Sequence, residues 1–304
     1  MSSIPEQGSN ENICDNISNL KISRHFGRLG NNMNYIINAI QYCIDHNILK
    51  LDIGKTQIGN QHRVNTLFED EIININVNSD IPLGKSLSHW GHFFYKSENP
   101  FYRRKEIVQH YIIPRIKFQP KIINKDDLVI HLRGGDIFTR GHYAYVQPPL
   151  SFYVNIIKSR NWSEIYVISE DKKNPCFDIL VNKYNCKSFM SDENEKCSQD
   201  FQKDLQVMIG CYNFVASKSS LSPLIVQLSS TIKNVYLANE YLTTNLRENQ
   251  IWWSDDLKNR SESFEYYGLT FHIQNYSKYF DQFHNNFDLS KPENKKLLID
   301  MELS

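Results

Sequence analysis

The stretch DLVIHLRGGDIF places side chains that could bind an anion directly after an apolar run. Arg133 carries a planar fork of donors that stays charged and suits a phosphate group. Gly134 and Gly135 let the backbone approach a ligand closely. His131 and Asp136 could contact a base or a ribose, or take up a proton. These residue types predict recognition of a phosphate-bearing ligand at the end of a strand.

A turn that only reverses the chain, with a surface salt bridge, would also use glycines and charged residues. However, side chains alternate between the two faces of a strand. His131, Arg133 and Gly135 therefore lie on one face at the strand end. This shared face favours a binding site over a purely structural turn.

Three further polar turns lie between a predicted strand and a predicted helix. They are GRLGNN (Gly27, Arg28, Leu29, Gly30, Asn31 and Asn32), ISED (with Glu170 and Asp171) and ASKSSLS (with Ser219 and Ser220). Backbone N–H groups at a helix start favour anions. A plain Gly-x-x-Gly turn, a solvated helix start and helix-capping serines would explain the three turns equally well. The two acids could also bind a hydroxyl-rich ligand or a metal. Together, the four turns favour a phosphate-bearing ligand.

Strands and helices alternate through the middle of the chain, which predicts a parallel sheet with right-handed crossovers. The predicted strands cover residues 128–132, 164–171, 187–190, 213–217 and 234–238, and the predicted helices cover 151–160, 177–184, 200–211 and 222–230. A strand, a glycine turn and an amphipathic helix near residues 21–44 open a second unit of this kind. A further helix is predicted from residue 105 to Pro114. The predicted fold class is α/β, with two Rossmann-like domains facing a cleft.

The domain boundaries follow from changes in composition. We predict a disordered tail (1–20), an N-terminal Rossmann-like domain on the acceptor side (21–122), a C-terminal donor-binding domain (123–245) and an aromatic-rich segment that packs back on the first domain (246–304). The polar stretch KIINKDD after Pro120 is the predicted linker. Trp90 and His92, in another aromatic stretch, could stack on an acceptor sugar or form core under a loop.

Overall charge excludes several classes of partner. Lys plus Arg and Asp plus Glu number 34 each, so the net charge is zero and no general field attracts nucleic acid or an anionic membrane. The first 20 residues lack the pattern of a signal peptide, and no long apolar window predicts a transmembrane segment. We therefore expect a cytoplasmic protein, or a lumenal one if an N-terminal anchor has been removed.

The six cysteines form no C-x-x-C pair, so a structural zinc site is not expected. Cys176, Cys186 and Cys197 are close enough in sequence to form a disulfide in an oxidising compartment. Because nothing marks secretion, reduced thiols are expected instead.

Taken in order along the chain, these motifs resemble those of the α-1,2-fucosyltransferase family. GRLGNNM is similar to that family's G-x-L-G-N-Q-M, and WGHFFYKSENPFY to its G-Y-x-Q-S-x-x-Y-F. HLRGGD is similar to H-x-R-R-x-D. IYVISED and DLQVMIGCYNFVASKSSLS resemble F-x-F-S-D-D and D-L-x-x-M-x-x-C-x-x-x-I-x-x-N-S-S-F-S-W-W. The matches span about residues 22–240.

The resemblance implies two Rossmann-like domains of the GT-B type and inverting transfer of fucose from GDP-fucose to a glycan acceptor, with an α-1,2 linkage. It implies no cofactor and no metal, and no D-x-D motif is present. Arg133 would bind the diphosphate and stabilise the leaving GDP, since departure of a nucleoside diphosphate develops negative charge. His131, Asp136, Ser219 and Ser220 would shape the donor site, and Gly27–Asn32 would line the facing domain. The catalytic residues expected are Arg133 and Asp136.

The chain departs from the family pattern in ways that leave alternatives open. Gly134 stands where the family has a second arginine, and SLSPL replaces S-F-S-W-W. Asp136 is the first candidate for the general base, with Glu170 and His25 as alternatives, and attack without a base is also open. A related transferase using another nucleotide sugar, and an inactive nucleotide- or glycan-binding module, are the competing hypotheses.

Overall fold

The structure is a computed structural model that describes most of the chain. The described residues are 19–22, 28–53, 68, 72–75, 101–139, 146–188, 198–241, 253, 257, 260, 262–281 and 288–300. Two sheets lie within these ranges. The fold is α/β, and the larger sheet is mostly parallel.

The smaller sheet has three strands: β1 (Asn19–Lys21), β2 (Lys50–Asp52) and β3 (Ile72–Asn74). β2 lies in the middle, parallel to β1 and antiparallel to β3. β1 starts two residues before the predicted end of the N-terminal tail, so Asn19 and Leu20 belong to a strand. Residues 1–18, the rest of that predicted tail, lie outside the described residues.

Helix α1 (Leu29–Asp45) joins β1 to β2, and its apolar residues recur at helical spacing. Met33, Ile36 and Ile40 are fully buried on one face. The helix ends where Asn47 takes a positive φ of 54°. The N–H of Ile48 then donates to the carbonyl oxygen of Cys43 at 2.8 Å, a six-residue closure typical of helix C-termini.

A second helical segment follows the smaller sheet. Helix α2 (Phe101–Ile107) continues as a π-helical turn (Val108–Ile112) and a 3₁₀ turn (Ile113–Arg115). The helix thus begins four residues before the predicted start at Lys105. It ends near the predicted position, because Pro114 has no N–H to continue the helical hydrogen bonds.

The larger sheet has seven strands: β4 (Leu128–Leu132), β5 (Ile165–Ser169), β6 (Lys187–Ser188), β7 (Asn213–Val215), β8 (Asn234–Ala238), β9 (Phe264–Tyr266) and β10 (Leu269–Gln274). Their order is β6-β5-β4-β7-β8-β10-β9, and all adjacent pairs are parallel except β10 with β9. Every residue of β4 is buried, as expected for a central strand covered by helices on both faces.

Helices of the larger sheet are α3 (Leu150–Lys158), α4 (Cys176–Lys183), α5 (Ser198–Gly210), α6 (Leu221–Leu228), α7 (Ser277–Asp281) and α8 (Pro292–Asp300). The strands and helices predicted between residues 128 and 238 are all confirmed, with bounds that differ by no more than two residues.

The C-terminal segment contributes strands that the sequence did not predict. β9 and β10 form a hairpin that pairs with β8, and the hairpin turn uses positive φ angles at Tyr267 and Gly268. Trp253 lies 6.2 Å from Phe101 between ring centroids. The segment 246–304 therefore contacts both the larger sheet and α2.

Buried apolar residues of both sheets form one continuous cluster. The described cysteines, Cys43, Cys176, Cys186 and Cys211, are free thiols inside it. Burial raises the pKa of Cys43 and of Cys186 to about 12, so these thiols stay protonated and unreactive at neutral pH. Cys14 and Cys197 lie outside the described residues.

Candidate functional site

The strand order of the larger sheet identifies where a ligand would bind. The chain winds from β4 outward through β5 to β6, and then returns to β7 on the other side of β4. This is the strand order of doubly wound nucleotide-binding sheets, and it changes direction between β4 and β7. Ligands of such sheets bind at the carboxyl ends of the strands at this switch point. HLRGGD follows β4, and ASKSSLS follows β7.

His131 lies inside the protein at the end of β4. Its Nδ1 is 3.0 Å from Oγ of Ser222 and 2.9 Å from Oγ of Ser217. Burial, and then the positive charge of Arg133, lower the pKa of His131 to about 3. The ring is therefore neutral at physiological pH. It joins β4 to the start of α6 through the two hydroxyl groups.

The buried imidazole makes stability depend on pH. His131 is neutral in the folded protein but protonates near pH 6.5 when unfolded, so its contribution is complete above pH 6.5 and is lost as pH falls from 6.5 toward 3. Between pH 7.5 and 5 it accounts for a loss of about 2 kcal/mol in unfolding free energy. Urea unfolding of wild type and His131→Asn at both pH values measures the difference. An equal pH dependence in the two proteins contradicts the assignment.

Arg133 crosses the switch point from β4 toward β7. Its side chain is 12% exposed, and Nη2 lies 3.8 Å from Oδ1 of Asp136. Nη1 donates a long hydrogen bond of 3.4 Å to the carbonyl oxygen of Lys218. The Arg133 carbonyl oxygen accepts a hydrogen bond from Nδ2 of Asn174 at 3.0 Å, which fixes the backbone beneath the guanidinium. The guanidinium is therefore held at the point where the strand order predicts a ligand.

The glycine pair is packed against the end of β5. Gly135 has a φ of 77°, a conformation that favours glycine, and its N–H donates to Oδ1 of Asp171 at 3.0 Å. A Cβ at Gly134 would overlap that same carboxylate oxygen and lie 3.2 Å from Oγ of Ser169. Asp171 also forms an ion pair of 3.0 Å with Lys173. A side chain at position 134 would therefore require the Asp171 carboxylate to move.

Arg28 connects the start of α1 to the larger sheet. It forms an ion pair of 2.8 Å with Asp136 and a second one with Glu170. Asp136 thus lies between two guanidinium groups, those of Arg28 and Arg133. The structure brings together Arg28, Arg133, Asp136 and Glu170, four of the residues that the sequence analysis selected.

The first turns of α1 and α6 face each other across the same edge. A Cβ at Gly30 would lie 2.6 Å from the backbone N of Leu221, so the absence of a side chain lets the two helices meet. Oγ of Ser220 donates to Oδ1 of Asn31 at 2.6 Å, and the N–H of Leu221 donates to Oγ of Ser219 at 3.1 Å. Ser219 thus accepts a hydrogen bond from the first N–H of α6, whereas Ser220 makes no side-chain capping bond and instead joins α6 to α1.

Two residues of the GRLGNN turn, Leu29 and Asn32, are buried in the fold. Leu29 is 3% exposed within the apolar core. Asn32 is fully buried and donates from Nδ2 to the carbonyl oxygen of Arg28 at 3.1 Å. They position Arg28 and Asn31 rather than face the site. Gly27 and His25, and the acceptor candidates Trp90 and His92, lie outside the described residues.

Sequence reasoning missed three residues at this edge: Ser217, Lys218 and Ser222. Ser217 and Lys218 lie two and three residues after β7, and Ser222 is the second residue of α6. All three belong to the ASKSSLS turn, which was interpreted through Ser219 and Ser220 alone. Lys218, a basic residue in a polar turn that follows a strand, was the sequence feature that could have indicated a site here.

Comparisons of the chain with models of known families, with curated proteins and with solved structures found no match. Among the residues that the structure describes, no three His, Cys, Asp or Glu side chains gather as metal ligands. No helix in the described ranges has the length and apolar character needed to cross a membrane.

Proposed function

We propose that the protein is an inverting, metal-independent glycosyltransferase that moves fucose from GDP-fucose to a hydroxyl group of a glycan acceptor, with an α-1,2 linkage. In this proposal the two sheets belong to two Rossmann-like domains of the GT-B type. The larger sheet binds the donor, and the unit with α1 faces it.

One observation carries the proposal: Arg133 lies at the switch point of a doubly wound sheet, beside the start of α6. An always-charged guanidinium and the N–H groups of a helix start are suited to a diphosphate. The resemblance of the sequence motifs supplies the sugar and the nucleotide. The ion pairs from Arg28 to Asp136 and Glu170 support a site that is shared by both sheets.

The reaction breaks the bond between the sugar C1 and the β-phosphate oxygen, and its electron pair leaves with GDP. The acceptor oxygen forms the new bond to C1 from the opposite face, through an oxocarbenium-like transition state. Arg133 stabilises the charge that develops on the leaving phosphate. The acceptor proton passes to a carboxylate, for which Asp136 is the first candidate and Glu170 the second. Both are within reach of the same guanidinium, that of Arg28.

A donor screen tests this proposal. The purified chain is incubated with GDP-fucose, GDP-mannose, UDP-glucose and UDP-galactose, and release of the nucleotide is measured with and without EDTA. We expect turnover of GDP-fucose that EDTA does not change. Turnover of a UDP-sugar alone would refute the fucose assignment, and loss of activity in EDTA would refute metal independence.

A second candidate function is a binding module without catalysis. It is favoured by Gly134, which stands where the resembled motif has its second arginine. A module of this kind would bind GDP in a calorimetric titration yet release no nucleotide from any sugar donor. Measurable hydrolysis of GDP-fucose above that of the Arg133→Ala variant would exclude it.

A further inference from the structure

Lys218 lies at the switch point, on the opposite side from the glycine pair. It lies between β7 and the two serines that precede α6. Its side chain is half-buried, and its Nζ lies 5.6 Å from the ring centroid of Phe280. The described residues provide no hydrogen bond or ion pair to this ammonium group. Its backbone carbonyl oxygen accepts hydrogen bonds from Arg133 at 3.4 Å and from Gln147 at 3.3 Å.

The other cations of the site already have carboxylate neighbours. Arg28 pairs with Glu170 and Asp136, and Arg133 lies 3.8 Å from Asp136. Position 134, where the resembled motif has arginine, carries no charge. Lys218 therefore brings a positive charge to this edge that no carboxylate among the described residues pairs with, and the negative charge of Glu240 affects it less than burial does.

Burial makes this ammonium group responsive to an anion. Burial lowers the pKa of Lys218 to about 8, against a weaker opposing effect of Glu240 on the turn after β8. At pH 7, most molecules of the protein therefore still carry Lys218 in its protonated, charged form. A phosphate group bound beside it would replace the hydration that the ammonium loses on burial, and charge-assisted hydrogen bonds of this kind are the strong ones.

We propose that Lys218 binds the phosphate groups of the ligand together with Arg133, and so supplies the second cation that Gly134 cannot provide. Arg133 directly follows β4 and Lys218 lies three residues after the neighbouring strand β7, and the hydrogen bond from the Arg133 guanidinium to the Lys218 carbonyl oxygen keeps them adjacent. Ser219, Ser220 and the start of α6 follow Lys218 in the chain. The assignment rests on the proposed nucleotide-sugar function, because that function supplies the diphosphate.

Calorimetric titration of the full chain with GDP, pyrophosphate and guanosine tests the role of Lys218. Loss of one charge-assisted hydrogen bond predicts that Lys218→Met weakens GDP and pyrophosphate binding by about 10- to 100-fold. Guanosine, which has no phosphate, should bind both proteins equally. Lys218→Arg keeps the charge and should lose less affinity than Lys218→Met.

Lys187→Met is the matched control, since Lys187 pairs with Glu164 at 2.7 Å far from this edge and its loss should leave GDP binding unchanged. Thermal unfolding checks that each variant folds. Lys218→Met should be at least as stable as wild type, because it removes a charge that burial disfavours.

The titrations test the role of Lys218 and the proposed transferase function, and most outcomes affect only one of them. Equal GDP affinity in wild type and Lys218→Met overturns the role of Lys218 and leaves the proposed function standing. Equal weakening of guanosine and GDP also overturns it, because the lysine would then act away from the phosphates. If pyrophosphate binds through Lys218 but no sugar nucleotide is turned over, the lysine assignment stands and the transferase function fails. Wild type that binds neither GDP nor pyrophosphate overturns both.

Discussion

Arg133→Ala is expected to lower the turnover of GDP-fucose by about 100-fold or more. In the proposed reaction the guanidinium would stabilise the charge that develops on the leaving phosphate, and removal of one such preorganised donor typically costs 10²–10³ in kcat. The effect should be larger on kcat than on donor affinity if the contact strengthens as GDP departs. Steady-state kinetics with varied donor concentration measure both quantities.

Arg160→Ala is the matched control for this experiment. Arg160 stacks over Trp162, with its Cζ 3.9 Å from the ring centroid, and follows α3 away from the switch point. Its replacement should leave turnover unchanged. Arg133→Lys should recover part of the lost rate, since lysine keeps the charge but not the planar fork. Turnover in Arg133→Ala equal to that of wild type would remove Arg133 from the mechanism.

Gly134→Arg, which restores the residue of the resembled motif, is expected to destabilise the protein by about 3 kcal/mol rather than to improve it. A Cβ at this position overlaps Oδ1 of Asp171 and lies 3.3 Å from the Asp171 carbonyl oxygen. The carboxylate cannot move without breaking its hydrogen bond to the N–H of Gly135. Urea unfolding of the variant and of wild type measures the loss.

Gly134→Ala is also made in an Asp171→Ala background. This pair of variants separates the steric overlap with the Asp171 carboxylate from the other effects of the substitution at position 134. Once the carboxylate is absent, alanine at position 134 should cost less than it does in wild type, and the difference is the coupling energy of the two sites. A cost that is the same in both backgrounds would show that Asp171 does not limit position 134.

The cations of the candidate site come from different elements of the fold. Arg28 immediately precedes α1, Arg133 directly follows β4, and Lys218 lies three residues after β7. Asp136 and Glu170 form ion pairs with Arg28.

Much of the larger sheet could be predicted from sequence because its local pattern and its burial agree. LVIHL is apolar except for His131 and is buried throughout, and NVYLA was placed at the residues that form β8. Strands with both faces covered leave a continuous apolar run, and amphipathic helices between them leave a 3.6-residue period. Both patterns can be recognised from residues that are close together in the sequence.

The hairpin β9–β10 was missed for a physical reason. LTFHIQ mixes polar and apolar residues, and only Leu269 and Phe271 are buried, because the hairpin forms one side of the sheet. Its turn places Tyr267 at a positive φ of 50°, where glycine or asparagine would have signalled a hairpin. Pairing with β8 supplies the stability that the local sequence does not indicate.

The sequence by itself determined the alternation of strands and helices, and the presence of polar turns at the strand ends, since both depend on residues close in the chain. Only the tertiary structure decided which turns meet: Arg28 and Glu170 are 142 residues apart, and Ser220 and Asn31 are 189 apart. The tertiary structure also placed the Asp171 carboxylate where a side chain at position 134 would lie, and it placed Lys218 beside Arg133. Strand order determines such contacts, and strand order comes from the packing of the whole core rather than from any local pattern.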